Sequence, residues 1–306
     1  MKKVKVLLMT IILIVSHSLI AQIAMNADGS SPDGSAMLDV KSNNKGLLLP
    51  RMNTYQMSLI TNPATGLLVF NTDSSDFFGF DGNNWISFWN TGDTITIWAC
   101  GDPITYGGQN YSTVQIGTQC WMAENLNIGT RIDGTANQTD NPTIEKYCYT
   151  NSNAYCDTYG GLYQWNEMMQ YVTTEGTQGI CPTAWHLPSD AEWKTMEMDL
   201  GMTQSQADAT DWRGTDEGAK LKEPGTTHWS SPNTGASNSS GFTGLPGGYR
   251  IASNGLFDQL TNVAYFWSSS VNGSDAWYRH LYTSYTQVMR NADPKAYGYS
   301  VRCVQD

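Results

Sequence analysis

The chain has 306 residues, with 17 lysines and arginines against 28 aspartates and glutamates, a formal net charge of −11. That balance excludes nucleic acid as a partner, because phosphate binding needs a basic face, and it argues against unaided attachment to an anionic membrane.

The first segment is a leader. Lys2, Lys3 and Lys5 precede an apolar run over 6–15, and Ala21 offers a small residue before Gln22. This pattern predicts a signal peptide over 1–21 and export through the Sec pathway to the cell surface or medium. The run falls short of the ~20 apolar residues of a spanning helix, so no direct membrane insertion is expected after cleavage.

Residues 22–98 carry no cysteine and read as short β elements. Strands are expected over 36–40 and 47–49, one or two helical turns over 55–60, and a meander over 67–71, 77–80 and 85–89. Its turns at 73–76 and 81–84 are rich in Asp, Asn, Ser and Gly. So small a unit buries little core by itself, which predicts packing on a larger domain or on copies of itself. The stretches Ser35-Ala-Met-Leu-Asp-Val, Lys45-Gly-Leu-Leu-Leu-Pro-Arg-Met, Gly66-Leu-Leu-Val-Phe-Asn-Thr-Asp and Phe80-Asp-Gly-Asn-Asn-Trp resemble a module of exported Bacteroidetes proteins related to phage tail fibres. The resemblance implies a stalk, with a homotrimer as its expected state, and no chemistry.

Residues 99–306 form the larger domain and hold all six cysteines. An even number of cysteines in an exported chain predicts disulfides, and the reading adopted is Cys100–Cys120, Cys148–Cys156 and Cys181–Cys303. The second pair is close in sequence with turn-rich flanks; the third would tie the last strand to the start of the main helix. That helix is expected over 189–200: Ser189 caps it, Glu192 completes the capping box, and Gly201 stops it. Trp193, Met196 and Leu200 then share a core face. Further helices are read over 161–172, 203–209 and 217–222. Strands follow over 265–268, 276–282, 286–290 and 297–304, and 214–249 reads as a long ordered loop. The fold class is α+β, with small antiparallel sheets, few helices and long loops, behind a small β-rich stalk.

Family motifs run through this domain in order. Val114-Gln-Ile-Gly-Thr-Gln-Cys-Trp-Met-Ala-Glu-Asn-Leu, Tyr159-Gly-Gly-Leu-Tyr-Gln-Trp and Cys181-Pro-Thr-Ala-Trp-His-Leu-Pro-Ser-Asp-Ala-Glu-Trp resemble the Fibrobacter succinogenes major paralogous domain. So do Leu245-Pro-Gly-Gly-Tyr-Arg, Phe266-Trp-Ser-Ser-Ser and Tyr299-Ser-Val-Arg-Cys-Val. This resemblance implies an exported domain of undefined activity. More distantly, the 186–193 segment is similar to the helix start of formylglycine-generating-enzyme domains, which are variants of the C-type lectin-like fold. That similarity implies a two-lobed, loop-rich architecture.

Catalytic residues are not assigned. His186, His228 and His280 stand outside H-x-x-x-H and G-x-S-x-G settings, and no spacing pairs Glu192, Asp211, Asp216, Glu217 or Asp275 as glycosidase carboxylates. Calcium is the one cofactor with candidate ligands, Asp211, Asp216 and Glu217, because hard cations favour such oxygen donors on irregular chain. The ligand-binding candidates are Trp229, Arg250, Trp267, Trp277, Tyr278, Tyr282 and Tyr285, since aromatic faces beside polar groups suit sugars and peptide surfaces. Alternation sets Trp277, Arg279 and Leu281 against Tyr278, His280 and Tyr282, so one of these faces should be core. The expected function is non-enzymatic adhesion or recognition of a glycan or surface protein. The alternatives are a cysteine-dependent oxidase of formylglycine-generating type and a structural surface scaffold.

Overall fold

In a computed structural model of the chain, which describes residues 22–89 and 98–306, the strongest local signal is also the best-formed helix. The leader read over 1–21 lies outside the described residues. Helix Asp190–Asp199 starts at Ser189, whose side chain accepts from the Glu192 amide while the Glu192 carboxylate accepts from the Ser189 amide. This satisfies two of the amides a helix start leaves without partners. Gly201, at φ +130°, ends the turn that follows. Trp193 and Met196 are buried as the periodicity requires, and Leu200 packs at the rim of the same core.

Two units are distinguishable by their internal contacts. The smaller comprises the residues up to Asn53 and those from Pro63 onward through the first sheet region; the larger takes Thr54–Asn62 and the chain from Trp98. In the smaller, Ile23–Met25 pairs in parallel with Leu38–Val40. A separate sheet runs in the order Arg51–Met52, Leu68–Asn71, Asp76–Phe80, Trp85–Ser87. The strand expected over 47–49 does not form; pairing begins instead at Arg51. Asn71 explains the first hairpin turn, because its side-chain oxygen accepts from the Asp73 and Ser74 amides, both at 2.9 Å.

The larger unit holds two four-stranded sheets. One runs Trp185–His186, Val304–Gln305, Gln119–Met122, Thr113–Ile116, so a hairpin near the start of the domain pairs with its last strand. The other runs Asp211–Arg213, Val288–Asp293, Asp275–Tyr282, Val263–Asn272, all antiparallel. The inner face of this second sheet lies on helix Asp190–Asp199 through buried charge. Arg279 and Arg290 donate to Asp190 at 2.7–2.8 Å, and Arg213 and Arg279 donate to Glu197 at 2.7–2.8 Å. Asp190 and Glu197 are two helical turns apart on one face, which lets a single helix meet three strands. Burial opposes ionisation of Asp190, but Arg290 and Arg279 hold it well below the usual carboxylate range. Arg302, wholly buried, donates to Asn125 Oδ1 and to the Met122, Phe242 and Thr243 carbonyls.

Two expectations need correction. The helix read over 161–172 shrinks to Trp165–Met168, because Leu162 and Tyr163 bridge to Tyr147 and Tyr299 and are held extended. The strand read over 297–304 is likewise broken into isolated bridges from Gly298, Tyr299 and Ser300, with regular pairing only at Val304–Gln305.

The disulfides are Cys100–Cys120, Cys148–Cys156 and Cys181–Cys303, the pairs read from the sequence. All six sulfurs are used, leaving no free thiol for a cysteine-based oxidation. Among the described residues no helix is long and apolar enough to cross a membrane.

Candidate functional site

The outer face of the second sheet carries a row of rings. Strand register places Trp212 beside Met289, Met289 beside His280, and His280 beside Tyr265. Side chains alternate across a strand, so all four point to the face opposite Arg213, Arg279 and Arg290. The Trp212 and His280 rings meet with centroids 5.1 Å apart, across the strand that carries Met289. His280 stacks on Tyr265 at 4.3 Å, and Tyr265 stacks on Tyr299 at 4.5 Å. At the other end Tyr285 stacks on Trp212 at 4.2 Å and 17°, with Tyr282 at 5.7 Å from it.

This stacking decides what the row offers. Tyr265 has a ring on either side, so both of its faces are occupied. The middle of the row is closed: Tyr278, His280 and Tyr299 are buried, Tyr265 and Met289 pack against the same core, and the Tyr299 hydroxyl is taken up by Asp293. Open ring surface is concentrated at the outer end, where Tyr285 is 42% exposed.

His280 sits at the centre. Only 9% exposed, it has its Nε2 buried without a hydrogen-bond partner, and burial pushes its pKa down to about 3. It is therefore neutral at physiological pH. Carboxylates border the face: Asp293 accepts from the Tyr299 hydroxyl at 2.6 Å, and Asp293 and Asp211 raise the Tyr278 pKa further after burial.

The expected ligand residues divide accordingly. Tyr282 and Tyr285 lie at the open end of the row, and Tyr278 lies on the same face but is covered. Trp277 is on the inner face, half-buried beneath the Arg290 guanidinium at 3.8 Å. Trp229 and Trp267 are each 1% exposed, with their indole N–H groups donating to Gly244 O and Tyr163 O. Arg250 is buried and donates to the carbonyls of Gly134 and Ala296. Burial removes these last three from any ligand surface.

The calcium reading also needs correction. Glu217 is buried and accepts from the Thr215 and Asp216 amides, Asp216 is exposed and paired with Lys220 at 2.8 Å, and Asp211 lies in the edge strand. Among the described residues no group of three or more His, Cys, Asp or Glu side chains converges as a metal site.

Trp212, Tyr265, His280 and Met289 were not singled out as ligand residues by sequence reasoning. Alternation put His280 on one of two faces without saying which was open. Trp212 had only a three-residue strand as a signal, flanked by the acidic residues that drew the calcium reading.

The sequence matches the family described as Fibrobacter succinogenes major domain over residues 114–305, well over half of the chain. The chain belongs to that family. Residues 26–97 match a phage tail-like trimerisation region. No curated protein and no solved structure matches the chain. Both four-stranded sheets of the larger unit lie within the Fibrobacter-type domain, apart from the single residue Thr113.

Proposed function

We propose that the chain is an exported, disulfide-stapled binding module that self-associates through its N-terminal segment and recognises a glycan through the aromatic row of its larger domain. The observation that carries this reading is the open end of the row: the exposed Tyr285 ring stacked on Trp212, with Tyr282 beside it and buried rings ordering the rest. Sugars present C–H faces to open aromatic rings, which matches the exposed Tyr285 ring at the end of the row. A lectin-like architecture is in keeping with the pairing of the early Thr113–Met122 hairpin with the last strand. That part of the reading rests on fold analogy.

Self-association is supported by the match to a trimerisation region and by apolar exposure in the smaller unit. Ile23 and Met25 are about 60% exposed, Leu48 77% and Trp89 66%. Such side chains on a small unit are what a second copy would cover.

A glycan array with the full exported chain, with and without calcium, tests the ligand reading beside Tyr285→Ala and Trp212→Ala. Binding to a defined glycan set, lost in both variants at unchanged thermal stability, is the expected result. Retention of no glycan by the wild type would overturn it and leave a surface protein as the partner.

A further inference from the structure

The turn that carries the outer end of the aromatic row is held by a buried ammonium. Lys222 is wholly buried, and its Nζ donates to three main-chain carbonyls: Tyr285 at 2.9 Å, Tyr282 at 3.1 Å and Thr234 at 3.2 Å. The indole of Trp229 forms a wall of the same chamber, with its centroid 5.4 Å from Nζ.

An ammonium has three donors, and all three are used here. Their acceptors come from two segments that are far apart in sequence: the long loop at Thr234, and the turn from Tyr282 to Tyr285. Convergent carbonyl oxygens from irregular chain are also the way proteins hold a hard cation. Methionine or leucine would fill the same space without the cost of desolvating a charge. Packing alone therefore does not explain the lysine. No carboxylate is among its hydrogen-bond partners, and burial pushes its pKa down to about 8.

The consequence runs to the site. Tyr282 and Tyr285 are the residues whose carbonyls Lys222 holds, and their rings close the row, Tyr285 by stacking on Trp212. We infer that Lys222 is a positioning residue, a built-in cation that orders the Tyr282–Tyr285 turn and makes ligand binding at this face independent of divalent metal. This inference rests on the binding role proposed for the aromatic row.

Lys222→Met keeps most of the stem and removes the donors. Amide hydrogen exchange on the full chain is the readout, comparing residues 282–286 with helix Asp190–Asp199. The variant should speed exchange in the turn by about tenfold or more, the effect of one lost charge-assisted hydrogen bond, and leave the helix nearly unchanged. Glycan retention should fall with it. In the wild type, chelator and added calcium should change neither turn exchange nor retention. Unchanged turn exchange in the variant overturns the inference, as does loosening of the wild-type turn by chelator. A loosened turn with glycan retention intact also overturns it, by separating the turn from binding. If the wild type retains no glycan, the glycan reading fails, while exchange still decides whether Lys222 holds the turn. Should Lys222→Met not fold, Lys222→Gln, which loses the charge and reach but keeps an amide donor, should speed turn exchange in the same direction by a smaller factor, and unchanged exchange there overturns the inference.

Discussion

The three disulfides close loops of very different length, and this gives a quantitative ordering of their contributions. Cys181–Cys303 joins residues 122 apart, whereas Cys148–Cys156 joins residues 8 apart. In the chain-entropy account, a cross-link restricts the unfolded ensemble in proportion to the logarithm of the loop, giving ~4.9 kcal/mol for the long loop and ~2.5 kcal/mol for the short one. The difference, about 2.4 kcal/mol, depends only on the ratio of loop lengths. Loss of sulfur packing nearly cancels in the comparison, because all four cysteines are at most 2% exposed. Urea titration followed by tryptophan fluorescence, on Cys181→Ala/Cys303→Ala beside Cys148→Ala/Cys156→Ala, measures it. The variant lacking the long loop should be the less stable by about that difference. Equal stabilities, or the reverse order, would refute the loop-entropy reasoning for this domain.

Charge supplies further tests. The His186 pKa is raised chiefly by its hydrogen bond to Glu192, with Asp306 adding to it against the effect of burial. A raised histidine pKa contributes stability below its unfolded value of about 6.5 and loses it as pH climbs through the folded value. The wild-type melting temperature should therefore fall relative to His186→Gln as pH rises past neutral; parallel curves would refute the pairing. Glu197→Gln removes the charge shared by Arg213 and Arg279 inside the core and should cost about 3–5 kcal/mol in urea titrations. Ile23→Asp with Leu48→Asp should lower the assembly's mass by light scattering while far-ultraviolet dichroism stays constant, and an unchanged mass would exclude that surface.

How much was legible in the sequence depended on range. The capping box at Ser189 and Glu192 spans three residues, and its hydrogen bonds form as read. The 161–172 segment had helical apolar spacing, but extended bridges from Leu162 and Tyr163 to Tyr147 and Tyr299 override that local preference. The strand at Tyr278, His280 and Tyr282 announced two faces by alternation. Which face was inner depended on Asp190 and Glu197, more than 80 residues earlier, offering carboxylates to Arg279. Trp212 joins the row only because its strand pairs with Val288–Asp293 across the whole 214–287 region. None of these long-range pairings leaves a periodic trace.

Arg250, read as a ligand contact, is one of several basic side chains that the fold buries. Arg213, Arg250, Arg279, Arg290, Arg302 and Lys222 are all buried, six of the chain's 17 basic residues. Their charges meet buried carboxylates, carbonyls and ring faces, so few of them reach solvent. Asp76, Glu167, Asp190, Glu197 and Glu217 are buried as well, so the accessible surface keeps nearly the formal net charge of −11. At the aromatic row, Asp211 and Asp293 are near, and the central His280 contributes no positive charge because burial keeps it neutral. An acidic sugar approaching that face would meet like charge without a compensating guanidinium, a repulsion that selects against it. The geometry that buries the arginines thus also narrows the proposed ligand, from glycans in general to those without carboxylate or sulfate groups.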